Sequence, residues 1–119
     1  MITNSGLNLT RDLLNGDAVN APSHIAIGTG TTSPLATDTA LEAEVLRKAI
    51  SAKSKPSTGQ VLFEIEVGTT EANGYDLTEV GLFNDSTAGT MVSRVVHPAI
   101  SKTSDFSLKY QIIIVTERP

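Results

Sequence analysis

The stretch Leu77-Thr-Glu-Val-Gly-Leu-Phe83 puts one carboxylate inside an apolar run, and no other feature constrains the fold of this chain as strongly. Read as a strand, it sends alternate residues to opposite faces. Thr78, Val80 and Leu82 then share one face, and Leu77, Glu79, Gly81 and Phe83 share the other. Glu79 therefore sits between two bulky apolar side chains, where an unpaired charge is costly. It needs a partner or solvent access: either it reaches the sheet edge as part of an ordinary inner strand, or Arg47 or Arg94 forms an ion pair tying this central strand to a neighbour. Gly81 inside the strand signals a bulge, or another backbone passing close by.

Around this centre the chain reads as a series of short strands. Ser5 to Leu14 suits an amphipathic helix capped by Asn4 or Ser5, with Leu7, Leu13 and Leu14 as its docking residues and Asn15-Gly16 as its stop. Ser23 to Gly28 forms a first strand with Ile25 and Ile27 on one face. Thr39 to Leu46 is expected to make two helical turns, with Asp38 or Thr39 as cap and Leu41 and Val45 on one side. Arg47 to Lys55 is a weak strand whose lysines suit a sheet edge. The clearest alternation is Gln60 to Val67, with Val61, Phe63, Ile65 and Val67 inward. Its outward Glu64 and Glu66 are placed to pair with Lys53 and Lys55 across a hairpin.

Thr90 to His97 returns as a hairpin partner of the central strand and is expected to stop at Pro98, which lacks a ladder donor. In the last strand, Leu108 to Thr116, Leu108, Tyr110, Ile112 and Ile114 alternate with Lys109, Gln111, Ile113 and Val115. Its second half is apolar on both faces, so it is covered on both sides, by its own domain or by a neighbour. Ile113 and Val115 are therefore interface candidates. The sum is a single domain, residues 1–119, mainly β: an antiparallel β-sandwich or jelly-roll-like fold with one or two short helices near the N-terminus.

Composition narrows the function. Apolar residues make up 39% of the chain, aromatics 4%, and Trp is absent, so the core rests on Val, Ile and Leu and is thin enough for partner surfaces to complete it. The 26 Ser and Thr residues suit a pleated, half-exposed surface. A net charge of -4 argues against binding a phosphate backbone. The lack of Cys removes disulfides, thiol catalysis and zinc-thiolate sites. The longest apolar run, Ile112 to Val115, is far short of the roughly 20 residues of a membrane span. The N-terminus lacks the basic start and apolar stretch of a signal peptide.

Gly28-Thr-Gly30 invites comparison with a phosphate cradle but lacks the Gly-Lys-Ser/Thr ending and the third glycine of the nucleotide motifs. His24 and His97 lie far apart, and Asp76 and Glu79 fall on opposite faces of a strand. No catalytic, metal-ligating or cofactor-binding residue is singled out. Of the two competing readings, a carbohydrate-binding module needs exposed aromatics where these fall mostly at core positions, and an enzyme needs a nucleophile or metal spacing that is missing.

Five blocks remain, in order: Ile25-Ala-Ile-Gly-Thr-Gly30; Leu41-Glu-Ala-Glu-Val45 with Arg47; Glu71-Ala-Asn-Gly74; Glu79-Val-Gly-Leu-Phe83; and Arg94 with Ile100-Ser-Lys102. Together they resemble the amino-terminal module of bacteriophage tail-collar and tail-fibre proteins. The resemblance implies a non-enzymatic virion part, made in the host cytoplasm. Such a part is a homo-oligomer, most often a trimer, that anchors a fibre or collar element to other tail, neck or capsid proteins. It implies no nucleic-acid, membrane or cofactor partner. Fibre proteins carry the module ahead of a long repetitive shaft, whereas this sequence ends at Pro119. That length fits a short adaptor, a collar subunit or a capsid decoration protein.

Overall fold

The computed structural model describes residues 1–119 throughout. One helix and seven strands follow in the order α1 (Asn4–Leu14), β1 (His24–Gly28), β2 (Glu44–Ala49), β3 (Ala52–Ser54), β4 (Gln60–Val67), β5 (Asp76–Phe83), β6 (Met91–Ser101) and β7 (Leu108–Val115). They build two antiparallel sheets, of order β2-β1-β5-β6 and β3-β4-β7. The fold is mainly β and consistent with a β-sandwich.

The period-2 patterns explain how the sheets meet. Ile25 and Ile27 of β1, Val80 and Leu82 of β5 and Val92 of β6 form one wall of the core, and Phe63, Ile65 and Val67 of β4 form the other. Leu9 of α1 joins them, and Leu108, Tyr110, Ile112 and Ile114 of β7 extend the layer at one flank. A second, smaller cluster of Ala26, Leu41, Phe83 and Met91 lies apart from this core. Ala26 and Phe83 alternate with core residues along their strands, so the four-stranded sheet is covered on both faces. This is why β5 is apolar in both phases.

Several local expectations give way to tertiary demands. The helix is capped by Thr3, whose side chain accepts from Gly6 N, instead of Asn4 or Ser5. It docks through Gly6 and Leu9, while Leu7, Leu13 and Leu14 face outward. A Cβ at Gly6 would collide with the Val92 carbonyl, so the bare helix face lets the two backbones approach. Leu77 lies with Val80 and Leu82 in the core; the alternation of β5 is interrupted where its register against β6 shifts, between Leu77 and Glu79. β6 runs on through Pro98 to Ser101; as the edge strand of its sheet it tolerates a residue without a ladder donor.

Thr39 to Leu46 is not helical: Leu41 is buried against the second cluster, and β2 begins at Glu44. The lysine–glutamate hairpin pairs do not form either. The β3–β4 register sets Lys53 opposite Phe63 and Ala52 opposite Glu64. Lys53 Nζ instead donates to the Pro22 carbonyl, and Glu64 accepts from Gln111.

This division of labour has a measurable consequence. Ile65→Ala, in the fully buried wall, is expected to cost about 2 to 5 kcal/mol in a urea titration. Leu14→Ala, at a residue 85% exposed, is expected to stay within about 0.5 kcal/mol of the parent.

Candidate functional site

Glu79 is fully buried, yet each of its oxygens is satisfied. Oε2 accepts from the backbone N–H of Gly30 at 2.7 Å and of Ala43 at 2.8 Å. Oε1 accepts from Glu42 N at 2.9 Å and from Arg94 Nε at 3.0 Å. Both ends of the 29–43 loop thus close on one carboxylate. Burial pushes the Glu79 pKa up, but the donors from Ala43, Glu42, Arg94 and Gly30 outweigh it and hold the carboxyl below its ordinary value.

Each part of this clamp has a local cause. A Cβ on Gly28 would lie 2.7 Å from Glu79 Oε2 and collide with the Ala43 carbonyl, so the glycine clears room for the loop to cross the sheet. The glycine pair does cradle an anion, and that anion is the protein's own side chain. Thr78 Oγ1 donates to the Gly30 carbonyl at 2.7 Å, and Arg94 Nη1 donates to the Thr32 carbonyl at 2.8 Å and to Asp38 at 3.2 Å. Glu42 binds Thr31 N at 3.0 Å as well as the Thr32 hydroxyl and amide. Those bonds, the Thr32 hydroxyl foremost, lower its pKa.

The structure therefore pairs Glu79 with Arg94 and places Arg47 elsewhere. Arg47 bonds Glu44 at 2.7 Å and the carbonyls of Asp85 and Ala88, with its guanidinium 3.8 Å over the Phe83 ring. Gly81 stands between Ala26 and Arg94 in the sheet. What crowds it is side chains, since a Cβ there would meet Leu41 at 2.9 Å, Phe83 at 3.0 Å and Met91 at 3.3 Å. The register shifts between β5 and β6 lie on either side of Gly81, not at it, and their extra residues belong to β6.

Ile113 and Val115 take no part in the clamp; they lie on β7 and are 49% and 40% exposed. With Met1, Ile2, Val95, Ile112 and Ile114 they line a groove of about 280 Å³ between the edge strands β6 and β7. Lys102, which the sequence marks only as part of the Ile100-Ser-Lys102 block, is fully buried. Its Nζ donates to Asn73 Oδ1 at 2.9 Å and to the Thr103 carbonyl at 2.8 Å, pinning the turn before β5.

Chemically, the clamp holds the molecule together. All the Glu79 lone pairs in use point at donors of its own chain, which leaves no face for a substrate. Exposed apolar side chains line the β6–β7 flank. No family model and no curated protein matches the chain.

Removing one side of a buried pair leaves the other charge stranded, so Glu79→Gln and Arg94→Ala are each expected to cost about 3 to 5 kcal/mol. The double variant should fall short of their sum, because the residues share one network. The pH dependence has a definite sign. Since Glu79 titrates below 4.5 when folded, its contribution is fully present above that pH and is lost as pH falls through the depressed value. Urea midpoints between neutral pH and pH 3 should therefore drop less in Glu79→Gln than in the parent.

Proposed function

We propose that this protein is a non-enzymatic structural subunit of a bacteriophage virion. In this reading it is a tail or collar adaptor that associates with copies of itself and anchors to tail components. The observation that carries the reading is the apolar flank of Met1, Ile2, Val95, Ile113 and Val115, all more than one-third exposed and gathered along one side of the sandwich. Isolated exposed apolar residues are ordinary, but a contiguous strip beside a sheet edge marks a contact surface. The tail-module resemblance supports it from another direction. Gly28 to Gly30, Leu41 to Ala43, Glu79 to Phe83 and Arg94, which carry that resemblance, converge on the clamp and its cover. Those blocks encode a scaffold, and the scaffold leaves its flank free for assembly.

Mass spectrometry of gradient-purified particles from a host carrying this gene tests the proposal. The chain is expected to copurify with tail proteins in a fixed ratio that survives a high-salt wash. Its absence from intact particles would contradict the reading.

A further inference from the structure

We infer that the free edge of β7 pairs with the β7 edge of a second copy, antiparallel about a two-fold axis at Ile113, so that two three-stranded sheets become one. The inference rests on the self-association proposed above and names its surface and symmetry. The β4–β7 ladder pairs Val61 with Ile114 and Phe63 with Ile112, and it continues past the strand with Thr116 N donating to the Gly59 carbonyl at 2.8 Å. In an antiparallel ladder the residues that exchange both bonds recur at every second position. The even-numbered residues of β7 therefore turn their backbone groups toward β4. Lys109, Gln111, Ile113 and Val115 turn theirs outward, and none of these groups bonds to the chain outside the sheet ladders.

The sandwich has four sheet edges, and three are defended in recognised ways. β2 carries Glu44, Arg47 and Lys48 and a register shift against β1. β3 is only three residues long, with Lys53 at its centre. β6 is covered at Val92 to Arg94 by the N-terminal segment, through Thr3 N to the Val92 carbonyl and Arg94 N to the Met1 carbonyl, and it carries Pro98 beyond. β7 has eight residues, no proline, no register shift against β4, and a single charge near one end. A heterologous contact between edges needs a second receptive edge, and the molecule offers none. The same edge meeting itself is the isologous solution.

The side chains select the register. With Ile113 opposite the partner's Ile113, Gln111 faces the partner's Val115 and Lys109 faces the partner's Glu117. Apolar contact falls at the axis and opposite charges at each end. Neither Lys109 nor Glu117 has an ion-pair partner within its own chain. Moving the axis to Ile112 would set Lys109 against Val115 and Gln111 against Ile113, and moving it to Ile114 would pair Ile113 with Val115 but set Gln111 against Glu117 and Lys109 against Pro119, so only the Ile113 register brings Lys109 and Glu117 together. In the chosen register the partner's Ile112 and Ile114 fall on the inner side of the extended sheet, toward the groove rimmed by Ile2 and Val95.

Sedimentation equilibrium of the full chain provides the test, with circular-dichroism melting to confirm that each variant folds. The parent should have twice its 12.5 kDa chain mass. Ile113→Lys, which sets two like charges face to face and removes the central apolar contact, should weaken dimerisation roughly a hundredfold without altering the fold. Lys109→Glu and Glu117→Lys should each weaken it several-fold, and the double exchange should restore it. That trio decides the matter if Ile113→Lys fails to fold. An assembly that these variants leave intact, or a trimer of any sensitivity, overturns the two-fold pairing while self-association stands. A parent that stays monomeric at tens of micromolar overturns both.

Discussion

Glu79 is the point on which the rest of the structure depends. A carboxylate in the middle of a strand with apolar faces is tolerable only if the protein supplies donors for it, and here the donors are backbone amides of the 29–43 loop plus one arginine. Satisfying the charge therefore dictates the path of that loop. The loop in turn lays Leu41 against Phe83 and Met91 and closes the outer face of the four-stranded sheet. A hydrophobic residue at position 79 could be as well packed, since buried ion pairs are weak evidence for net stability. What the carboxylate provides is geometry: it allows one position for Gly30, Glu42 and Ala43 and penalises others.

The same logic explains what could be read from the amino acids and what could not. The alternation in Gln60 to Val67 and in Leu108 to Val115 predicts strands with the observed inward residues, because each has one face on the core. The need of Glu79 for a partner or for solvent is equally visible, although that an arginine meets it, and whether Arg47 or Arg94, depends on strand order. Arg94 lies across from Gly81 on β6, whereas Arg47 is two strands away on β2. The helical reading of Thr39 to Leu46 fails because the amides of Glu42 and Ala43 are taken by Glu79, a partner remote in sequence. Thr3 caps the helix because it also anchors to the Met91 carbonyl, a contact no local pattern reveals. The pair Gly28 and Gly30 is the one signal that pointed to the loop's role, once the anion is sought inside the chain instead of in solution.

The buried charges and the exposed apolar strip are organised in opposite ways. Around the clamp, charges are paired and faces are covered. Along the β6–β7 flank, Ile113, Val115 and Val95 stay exposed next to backbone groups that have no partner of their own. A chain poor in aromatics builds its sandwich from small aliphatic side chains and leaves a strip of the same kind outside. Such a strip is the surface that the proposed assembly would use.

The most direct test of the clamp is amide hydrogen exchange at Gly30, Glu42 and Ala43. If Glu79 organises the fold, these loop amides exchange only through the larger openings that release the β-sheet, with protection within about tenfold of Ile27 and Val80. Exchange as fast as that of the exposed turn at Ser86 to Ala88 would mean that the carboxylate does not hold the loop, and would contradict the account.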